Sequence, residues 1–534
     1  MEAVRYEENV FLSNETKLEP LALRWYAWSH LISPTQHALN VAFRQLPMLE
    51  SFVAAPEVHE VATRSPRMLG GPFLELTKAD LPRVRALLED TLARGAGMIQ
   101  FAQDLLRFER ELVASETGFS LDHLYEKLPQ SLAGLAEASY DLSNRASVRI
   151  FEELVYEGQL DNTWTQEVAF SLMRDEQRHF FLNTPRVETR RSMIVPAPFS
   201  APCWDLLAAS RVTAQPFAEL ATAMGVPPEA YPRFREFFAT TDPCRNSPQY
   251  TDEGVRVRYF GHACVLLQSA AVSVLVDPFV TWDRDAAQDR LTFDDLPDFI
   301  DFVFLTHNHQ DHFSPEVLLQ LRNRIGRILV PRNNANNIVD ASMKLTLRQL
   351  GFSNVEVLDP MDRVAIPDGR ITSLPFYGEH SDLSINSKHG LHLLLKGRTF
   401  LLLADSDCKD RALYRRLAQR LGKVDTVFIG MECHGAPLSW LYGPYLVKPI
   451  DKRNDDSRRL SGSDATHAWA IIEEFGGKQA YVYAMGQEPW MRFVSGLQYT
   501  PDSTQIVESD KFVARCRSEG LLAERLYGCR TLHF

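Results

Sequence analysis

The apolar and polar positions in the second half of the chain predict a set of short strands followed by a helix. Four segments are strand-like, by alternation or by continuous apolar character: residues 255–260, 265–267, 272–276 and 301–305. Ser314, Pro315 and Glu316 then suit the N-cap, the first helical position and the first turn of a helix. Strand-rich sequence that passes into helices alternating with strands predicts an α/β sandwich for this part.

The first half of the chain has a different pattern. Helical apolar spacing is found in three segments: residues 81–92, 148–154 and 164–173. Residues 192–196 are predicted to form a strand, and the turn-rich residues 240–248 a linker. We therefore divide the chain into a mainly helical α+β domain at residues 1–245 and a second domain at residues 246–534.

Length, charge and cysteine content narrow the class of protein. A chain of 534 residues is longer than one hydrophobic core normally serves, which agrees with two domains. The net charge of −12 argues against nucleic-acid binding. No run is apolar enough to span a bilayer, and the first eight residues lack a secretory pattern. None of the seven cysteines forms a C-x-x-C pair, so we expect a reducing cytoplasm and no membrane partner.

A cluster of metal-binding side chains follows the strand predicted at residues 301–305. It has the spacing H-x-H-x-D-H and consists of His307, His309, Asp311 and His312. A strand–loop–helix junction can aim such side chains in two directions, with the first two histidines on one metal and the last two residues on a second. Imidazole and carboxylate ligands suit zinc, iron or manganese. The cluster therefore predicts a dinuclear metal site.

Two further segments extend the motif. Residues 261–264, with the sequence Gly-His-Ala-Cys, and residues 277–278, with the sequence Asp-Pro, flank the predicted strands. Together with the H-x-H-x-D-H cluster they resemble the metallo-β-lactamase fold over about residues 255–500. The resemblance implies an αββα sandwich for the C-terminal domain. We expect His262 and Asp277 to brace loops near the site without binding metal.

The same resemblance points to three later positions. Glu379 stands where zinc hydrolases of this fold carry a third histidine, and His380 is an adjacent alternative. Asp405 ends an apolar strand, where a carboxylate that bridges two cations is compensated for its burial, and Asp407 is the alternative. Ala484 stands where these hydrolases usually present a last histidine. Compared with those zinc hydrolases, this site has a carboxylate in place of one histidine and lacks a second histidine. Such a ligand set suits redox-active iron with open coordination positions for dioxygen.

This pattern resembles the dinuclear-iron β-hydroxylases of chloramphenicol biosynthesis (the CmlA type), which join an N-terminal domain to a metallo-β-lactamase-fold domain at a similar total length. The resemblance implies the metal ligands His307, His309 and Glu379 for one iron, Asp311 and His312 for the other, and Asp405 between them. It also implies dioxygen as co-substrate and an external electron donor of unknown identity.

The expected reaction is β-hydroxylation of an amino acid, L-p-aminophenylalanine, tethered as a thioester to a nonribosomal peptide synthetase carrier domain in antibiotic biosynthesis. Residues 1–245 would then serve dimerisation or carrier docking, and we expect a homodimer. The main rival is a dinuclear zinc hydrolase of the same fold, which would cleave a thioester, lactone or phosphodiester. The identity of Glu379 and Ala484 disfavours that rival.

Carboxylates outside the H-x-H-x-D-H cluster are further candidates for function. Glu379 and Glu432 are the predicted catalytic carboxylates, with Glu432 close enough to control how Glu379 contacts iron, although a solvated loop acid is an equal alternative. The E-x-x-H motif at residues 176–179 is expected on a solvated helix, because ferritin-type sites need a second copy that the sequence lacks.

Two larger sets are candidates for substrate contacts. Four aromatic residues could line a pocket for an aromatic side chain, with core packing the alternative for each: Trp440, Tyr442, Tyr445 and Trp490. Two basic clusters could dock an acidic carrier domain, with a solvated face the alternative. The basic residues are Arg411, Arg415, Arg416, Arg420 and Lys423 in one cluster, and Arg458 and Arg459 in the other.

Overall fold

The structure is a computed structural model. It describes residues 7–65, 68, 71–114, 117–158, 160–242, 249–282, 289–496 and 498–534. Most of the predicted linker, residues 243–248, lies outside these ranges.

Up to residue 242, the described chain combines helices with small antiparallel sheets. The strands are β1 (Asn9–Leu12), β2 (Lys17–Ala22), β3 (Trp25–Tyr26), β4 (Ala136–Tyr140), β5 (Ala146–Ile150), β6 (Gln166–Ser171), β7 (Ser192–Pro196), β8 (Gln215–Pro216) and β9 (Phe238–Ala239). The helices are α1 (Ser29–Ile32), α2 (Pro34–Asn40), α3 (Leu46–Ala54), α4 (Pro56–Thr63), α5 (Leu81–Arg94), α6 (Ala96–Ala114), α7 (Asp122–Tyr125), α8 (Glu152–Tyr156), α9 (Cys203–Ala209), α10 (Phe217–Ala223) and α11 (Tyr231–Arg235). A four-stranded sheet has the order β3-β2-β6-β7, and a three-stranded sheet the order β8-β1-β9.

Some predictions for this part are confirmed and others are wrong. The helix at residue 81 and the strand at residues 192–196 are present as α5 and β7. Residues 148–150, however, belong to strand β5, whose side chains alternate between buried and exposed, and α8 begins only at Glu152. Residues 166–171 form strand β6, which is buried on both faces. A strand buried on both faces carries no alternation, so its apolar spacing resembles that of a buried helix.

The E-x-x-H motif is not helical. Residues 175–177 form a single 3₁₀ turn. Glu176 accepts a hydrogen bond from Arg290 at 3.1 Å, and Nδ1 of His179 lies 3.3 Å from Glu75. The two side chains therefore have different partners, and the prediction of a solvated helix for this motif is wrong.

From residue 255 onwards, two seven-stranded sheets stack face to face. The strands are β10 (Arg256–Tyr259), β11 (Val265–Gln268), β12 (Ser273–Val276), β13 (Ile300–Phe304), β14 (Ile325–Pro331), β15 (Val355–Leu358), β16 (Arg363–Ile366), β17 (Gly369–Leu374), β18 (Gly390–Leu395), β19 (Arg398–Leu402), β20 (Thr426–Gly430), β21 (Gln479–Tyr483), β22 (Leu522–Arg525) and β23 (Arg530–His533). The first sheet has the order β15-β14-β13-β12-β11-β10-β23 and the second β16-β17-β18-β19-β20-β21-β22.

The helices of this part lie on the outer faces of the two sheets or in the connections between strands. They are α12 (Pro315–Gln320), α13 (Met343–Gln349), α14 (Arg411–Leu421), α15 (Leu438–Tyr442), α16 (Lys452–Ser457), α17 (Ala465–Phe475), α18 (Arg492–Ser495) and α19 (Thr504–Ser518). Helices α14, α17 and α19 share a core with the second sheet, whereas α12, α13 and the N-terminal part share one with the first. The αββα sandwich expected from the sequence is confirmed.

Successive side chains of each central strand pack into different cores, one between the two sheets and one beneath the outer helices. In β11, Val265 and Leu267 point into the core between the sheets, and Leu266 points to the outer layer. In β12, Val274 lies in the inner core and Leu275 in the outer one. Because both faces are buried, these strands are continuous apolar runs in the sequence.

A buried ion cluster joins the N-terminal part to the helix after the metal loop. Arg178 lies 2.8 Å from Glu19, 2.5 Å from Glu316 in the first turn of α12, and 3.4 Å from Asp175. Lys17 adds a second cation, 2.6 Å from Glu19. The N-terminal part therefore contacts the sandwich a few residues from the H-x-H-x-D-H loop.

No helix in the described part of the chain combines the length and apolar character that a membrane crossing requires.

Candidate dinuclear metal centre

The predicted metal-binding residues meet where strands of the two sheets end. The H-x-H-x-D-H loop follows β13, Glu379 lies in the turn after β17, and Asp405 follows β19. Parallel strands such as β13, β19 and β20 present their carboxyl ends at one edge, which is where α/β folds usually bind ligands.

One end of the site is formed by His307, His309 and Glu379. Nδ1 of His309 lies 2.6 Å from Oε1 of Glu379, and the rings of the two histidines are 4.8 Å apart. Glu379 has a φ of +71°, which non-glycine residues rarely adopt, and the neighbouring Gly378 also has positive φ. Such a strained turn persists only where surrounding contacts hold it, and here it presents the carboxylate to His309.

Asp405 lies between the two halves of the site. Its Oδ2 is 3.0 Å from Nε2 of His312 and 3.5 Å from Nε2 of His307. Neither histidine nitrogen makes a hydrogen bond, and Oδ1 of Asp405 also has no partner. Ligand atoms about 2.1 Å from one ion stand roughly 3 Å apart, so this spacing suits atoms that share a metal.

Asp277 fixes the orientation of His312. Its Oδ2 lies 2.8 Å from Nδ1 of His312 and accepts a hydrogen bond from Oγ1 of Thr306 at 2.6 Å. The backbone nitrogen of Thr306 donates to Oδ1 at 2.7 Å. A histidine held at Nδ1 by a carboxylate presents Nε2 as the free ligand atom, which is the usual arrangement around metal-binding histidines.

His262 supports Asp311 at the other end of the site. Its Nδ1 accepts a hydrogen bond from the backbone nitrogen of Gly486 at 3.0 Å, so the neutral ring carries its proton on Nε2. That Nε2 lies 3.1 Å from Oδ2 of Asp311. A protonated nitrogen cannot bind a metal, and this geometry supports the expectation that His262 braces a ligand.

The alternative residues raised by the sequence turn elsewhere. Nδ1 of His380 lies 3.1 Å from Nε2 of His309, which is the other ring nitrogen from the one that meets Glu379. Asp407 points away from Asp405, and its Oδ1 lies 2.6 Å from Nδ1 of His467. Ala484 donates its backbone nitrogen to the carbonyl of His262 at 2.8 Å and carries no ligand atom into the site.

The electrostatics of the site reflect its burial. Burial lowers the pKa of His307 well below the usual value for histidine, and the nearby His312 and His309 lower it further. Burial also raises the pKa of Glu432 well above that of an ordinary glutamate, and the carboxylates of Asp405 and Glu379 raise it further. Glu432 therefore lies within electrostatic reach of the ligand carboxylates.

These residues fit a pair of metal ions. Two overlapping groups have all their ligand atoms within 4.8 Å of one another: His307, His309 and Glu379; and His307, His312 and Asp405. A third group of the same spacing joins Asp311 and His312 to His262, which braces Asp311. Buried polar atoms without partners are rare in native proteins, yet Nε2 of His307 and Nε2 of His312 have no hydrogen bond and both lie beside Oδ2 of Asp405. Bound cations would compensate all three.

Of the four aromatic residues predicted to line a substrate pocket, one lines a cavity and three are buried. Trp440 lines a cavity of about 550 Å³ together with Phe43, Met48 and Phe73. The other three are closely packed: Tyr442, Tyr445 and Trp490. No local pattern in the sequence predicts the contact that the Tyr442 hydroxyl makes with His309 at 2.9 Å.

The two basic clusters also differ. Arg411 pairs with Glu473 and Glu474, and Arg415 with Glu474. The guanidinium of Arg458 donates to the carbonyl of Ser381, and that of Arg459 to the carbonyl of Gly435 and to Asp456. The remaining residues of the first cluster are exposed and have no ion pair among the described residues: Arg416, Arg420 and Lys423.

The two stacked sheets and the paired ligand groups at their strand ends define a dinuclear metalloprotein of the β-lactamase superfamily. The family model described as the beta-lactamase superfamily domain matches residues 256–430. A second model, described as the diiron non-heme beta-hydroxylase N-terminal domain, matches residues 11–243.

Similarity to known proteins extends over the whole chain. The 4-amino-L-phenylalanyl-[CmlP-peptidyl-carrier-protein] 3-hydroxylase of Streptomyces venezuelae is 36% identical over 529 residues, which cover 98% of this chain and 99% of that protein. The crystal structure of CmlA, a diiron β-hydroxylase from the same organism, matches with a TM-score of 0.92 at 35% identity, covering 99% of this chain and 100% of that one. A mutant of CmlA matches with a TM-score of 0.90 at 36% identity, covering 98% and 100%.

The chain therefore belongs to the CmlA-type diiron β-hydroxylase family. Membership confirms the expected enzyme class, a non-haem diiron oxidoreductase that uses dioxygen and an external electron donor, and the rival zinc hydrolase is not favoured.

Proposed function

We propose that this protein hydroxylates the β-carbon of an amino acid held as a thioester on the carrier domain of a nonribosomal peptide synthetase, with L-p-aminophenylalanine as the amino acid. Its relative in Streptomyces venezuelae is named for the 3-hydroxylation of a 4-amino-L-phenylalanyl carrier protein. Identity of 36% along nearly the full length of both chains supports the same reaction here.

The observation that carries the proposal is the position of Glu379. Its carboxylate lies 2.6 Å from His309, at the place where a zinc hydrolase of this fold would have an imidazole. A carboxylate can contact a metal through one or two oxygen atoms and so accommodate a change in the charge of the metal. An imidazole offers one nitrogen only, which suits zinc because zinc does not change its charge.

In this proposal, His307, His309 and Glu379 hold one iron, Asp311 and His312 hold the other, and Asp405 lies between them. When bound, the iron pair supplies the reduction of dioxygen with two electrons and two protons, so that one oxygen atom enters the C–H bond and the other leaves as water. The residues that orient these side chains are Asp277, which fixes His312, and His262, which fixes Asp311.

Glu432 is proposed as the second catalytic carboxylate. Burial and the ligand carboxylates favour its protonated form. As a neutral acid it can donate a hydrogen bond to one of those carboxylates, and this would favour one contact mode of Glu379 over another.

The carrier domain is proposed to dock on helix α14. Arg416 and Arg420 are four residues apart and share a face of this helix, and both are exposed. An 11-residue helix is about 16 Å long. Helix α14 begins six residues after Asp405, so its first turn lies near the site, and Arg416 and Arg420 lie further along the helix. The basic residues complement an acidic carrier domain.

We further propose residues 1–245 and 246–534 as the two domains, a homodimer as the assembly and the cytoplasm as the location. The described cysteines are unpaired, as a reducing compartment requires: Cys203, Cys264, Cys408, Cys433, Cys516 and Cys529.

The test is a single turnover with defined components. The diferrous protein is mixed with dioxygen and a carrier domain loaded with L-p-aminophenylalanine, and the carrier-bound product is analysed by mass spectrometry. We expect the acyl group to gain one oxygen atom at the β-carbon. Hydrolysis of the thioester without oxygen uptake would contradict the proposal. The free amino acid serves as the control and is expected to react poorly.

A further inference from the structure

Residues 437–459 lie in the connection that follows β20, and their two ends are adjacent in the structure. We call them the cap segment. The backbone nitrogen of Gly435 donates to the carbonyl of Leu460 at 2.9 Å, and the nitrogen of Leu460 donates to the carbonyl of Ala436 at 2.8 Å. Pro437 and Arg459 continue this pairing as an antiparallel bridge. The cap segment is therefore closed at its base and carries helix α15 over the metal site.

Tyr442, at the end of α15, contacts two histidines of the site. Its hydroxyl lies 2.9 Å from Nε2 of His309 and 3.0 Å from Nδ1 of His380. The side chain is 2% exposed. These contacts join positions 133 and 62 residues apart in the sequence.

The hydrogen-bond roles follow from the chemistry of the three groups. Nδ1 of His309 faces Glu379, so this nitrogen is the ligand atom and the proton lies on Nε2. That N–H donates to the hydroxyl oxygen of Tyr442, and the hydroxyl in turn donates to Nδ1 of His380. Nε2 of His309 also lies 3.1 Å from Nδ1 of His380, so the three groups form a closed triangle. Because His380 directly follows Glu379, one hydroxyl braces both the His309 ring and the strained turn that carries the carboxylate.

The N-terminal part of the chain holds the cap segment in place. The hydroxyl of Tyr445 lies 2.7 Å from Nδ1 of His30 and accepts a hydrogen bond from Asn40 at 2.8 Å. Arg44 donates to the carbonyl of Trp440 and, at 3.0 Å, to the side chain of Asn40. The contacts with the cap segment fall within three residues of Tyr442.

We infer that Tyr442 is a positioning residue for the first metal position, and that the N-terminal part completes this position by holding the cap segment. The inference rests on the proposed roles of His309 and Glu379 as ligands. It gives residues 30–44 a part in assembling the metal centre, in addition to any part in dimerisation or carrier docking.

The test compares Tyr442→Phe with Tyr156→Phe. Each variant loses one hydroxyl, but the Tyr156 hydroxyl contacts Thr346 at 3.2 Å and no metal-site residue. Ferrous affinity is measured by competition with a chelator, and the diferrous forms are compared by Mössbauer spectroscopy. Loss of such a supporting contact typically weakens metal binding by 10- to 100-fold. We expect that loss for one iron only in Tyr442→Phe, with one altered iron signal, and wild-type behaviour in Tyr156→Phe.

Three outcomes would overturn the inference or part of it. Wild-type affinity and spectra in Tyr442→Phe would remove the positioning role. Equal losses in both tyrosine variants would indicate a general effect on folding. A double variant with Tyr445→Phe and Arg44→Met that binds both irons as the wild type does would remove the role of the N-terminal part. His309→Ala separates these failures from failure of the metal-site proposal, because it must lose iron if that proposal is correct.

Discussion

Replacement of Arg178 by methionine is expected to lower the free energy of unfolding by about 3–5 kcal/mol, the range found when one partner of a buried ion pair is removed. The Arg178 side chain is 1% exposed and contacts Glu19 and Glu316. Methionine fills a similar volume but leaves the partner carboxylates buried with one cation fewer.

The contacts around Arg178 set this magnitude. Two unit charges about 4 Å apart attract each other by roughly 4 kcal/mol at an effective dielectric constant near 20. Glu19 keeps two other cations, Lys17 and Arg186, after the change. For Glu316, Arg178 is the one cation within ion-pair distance in the described chain. The loss of about one such pair is therefore the main term, and it agrees with the range above.

The assay is chemical unfolding followed by circular dichroism, with Arg332→Met as the matched control. Arg332 also pairs with a carboxylate, Asp359, at 2.5 Å, but the two side chains are 58% and 49% exposed. Exposed pairs contribute about 0–1 kcal/mol. Equal losses in the two variants would refute the reasoning, because burial of the Arg178 cluster would then have no energetic consequence.

Other changes test the site and its surroundings. Glu379→His is expected to bind iron or zinc but to lose hydroxylation, and unimpaired product formation would remove Glu379 from the account. Asp405→Ala should lose at least one iron in metal analysis, and retention of both would exclude the bridging role. Arg416→Glu combined with Arg420→Glu should raise KM for the carrier-bound substrate and leave kcat unchanged; an unaltered KM would exclude α14 as the docking surface. Burial raises the pKa of Glu109 from 4.5 to about 7, so folding takes up a proton and the free energy of unfolding falls as pH rises from about 4.5 to about 7. Glu109→Gln should flatten that dependence in unfolding measured at several pH values, and an unchanged dependence would assign it to other groups.

The features that could be predicted from the sequence are those with a local signal. The H-x-H-x-D-H loop lies between an apolar strand and a helix that begins at Ser314, whose hydroxyl accepts a hydrogen bond from the backbone nitrogen of Val317. All of these signals fall within a few residues of one another. Asp405 is predicted because it ends an apolar strand, and Glu379 because the resemblance to zinc hydrolases of this fold expects a third histidine there. The structure places both carboxylates beside histidines of the loop.

The features that could not be predicted depend on distant partners. The contact of Tyr442 with His309 and the pairing of Arg178 with Glu316 each span more than a hundred residues, and neither leaves a periodic pattern. Strand β6 has the apolar spacing of a helix because burial on both faces removes the alternation that identifies a strand. In such cases tertiary packing, which the local sequence does not record, decides the structure.

The central claim is that the site holds two irons and transfers oxygen to carbon. The most direct measurement combines metal analysis of the purified protein with a single turnover under isotopically labelled dioxygen. We expect two irons per chain and one labelled oxygen atom at the β-carbon of the carrier-bound amino acid. Two zinc ions, with full hydrolytic activity and no oxygen uptake, would contradict it.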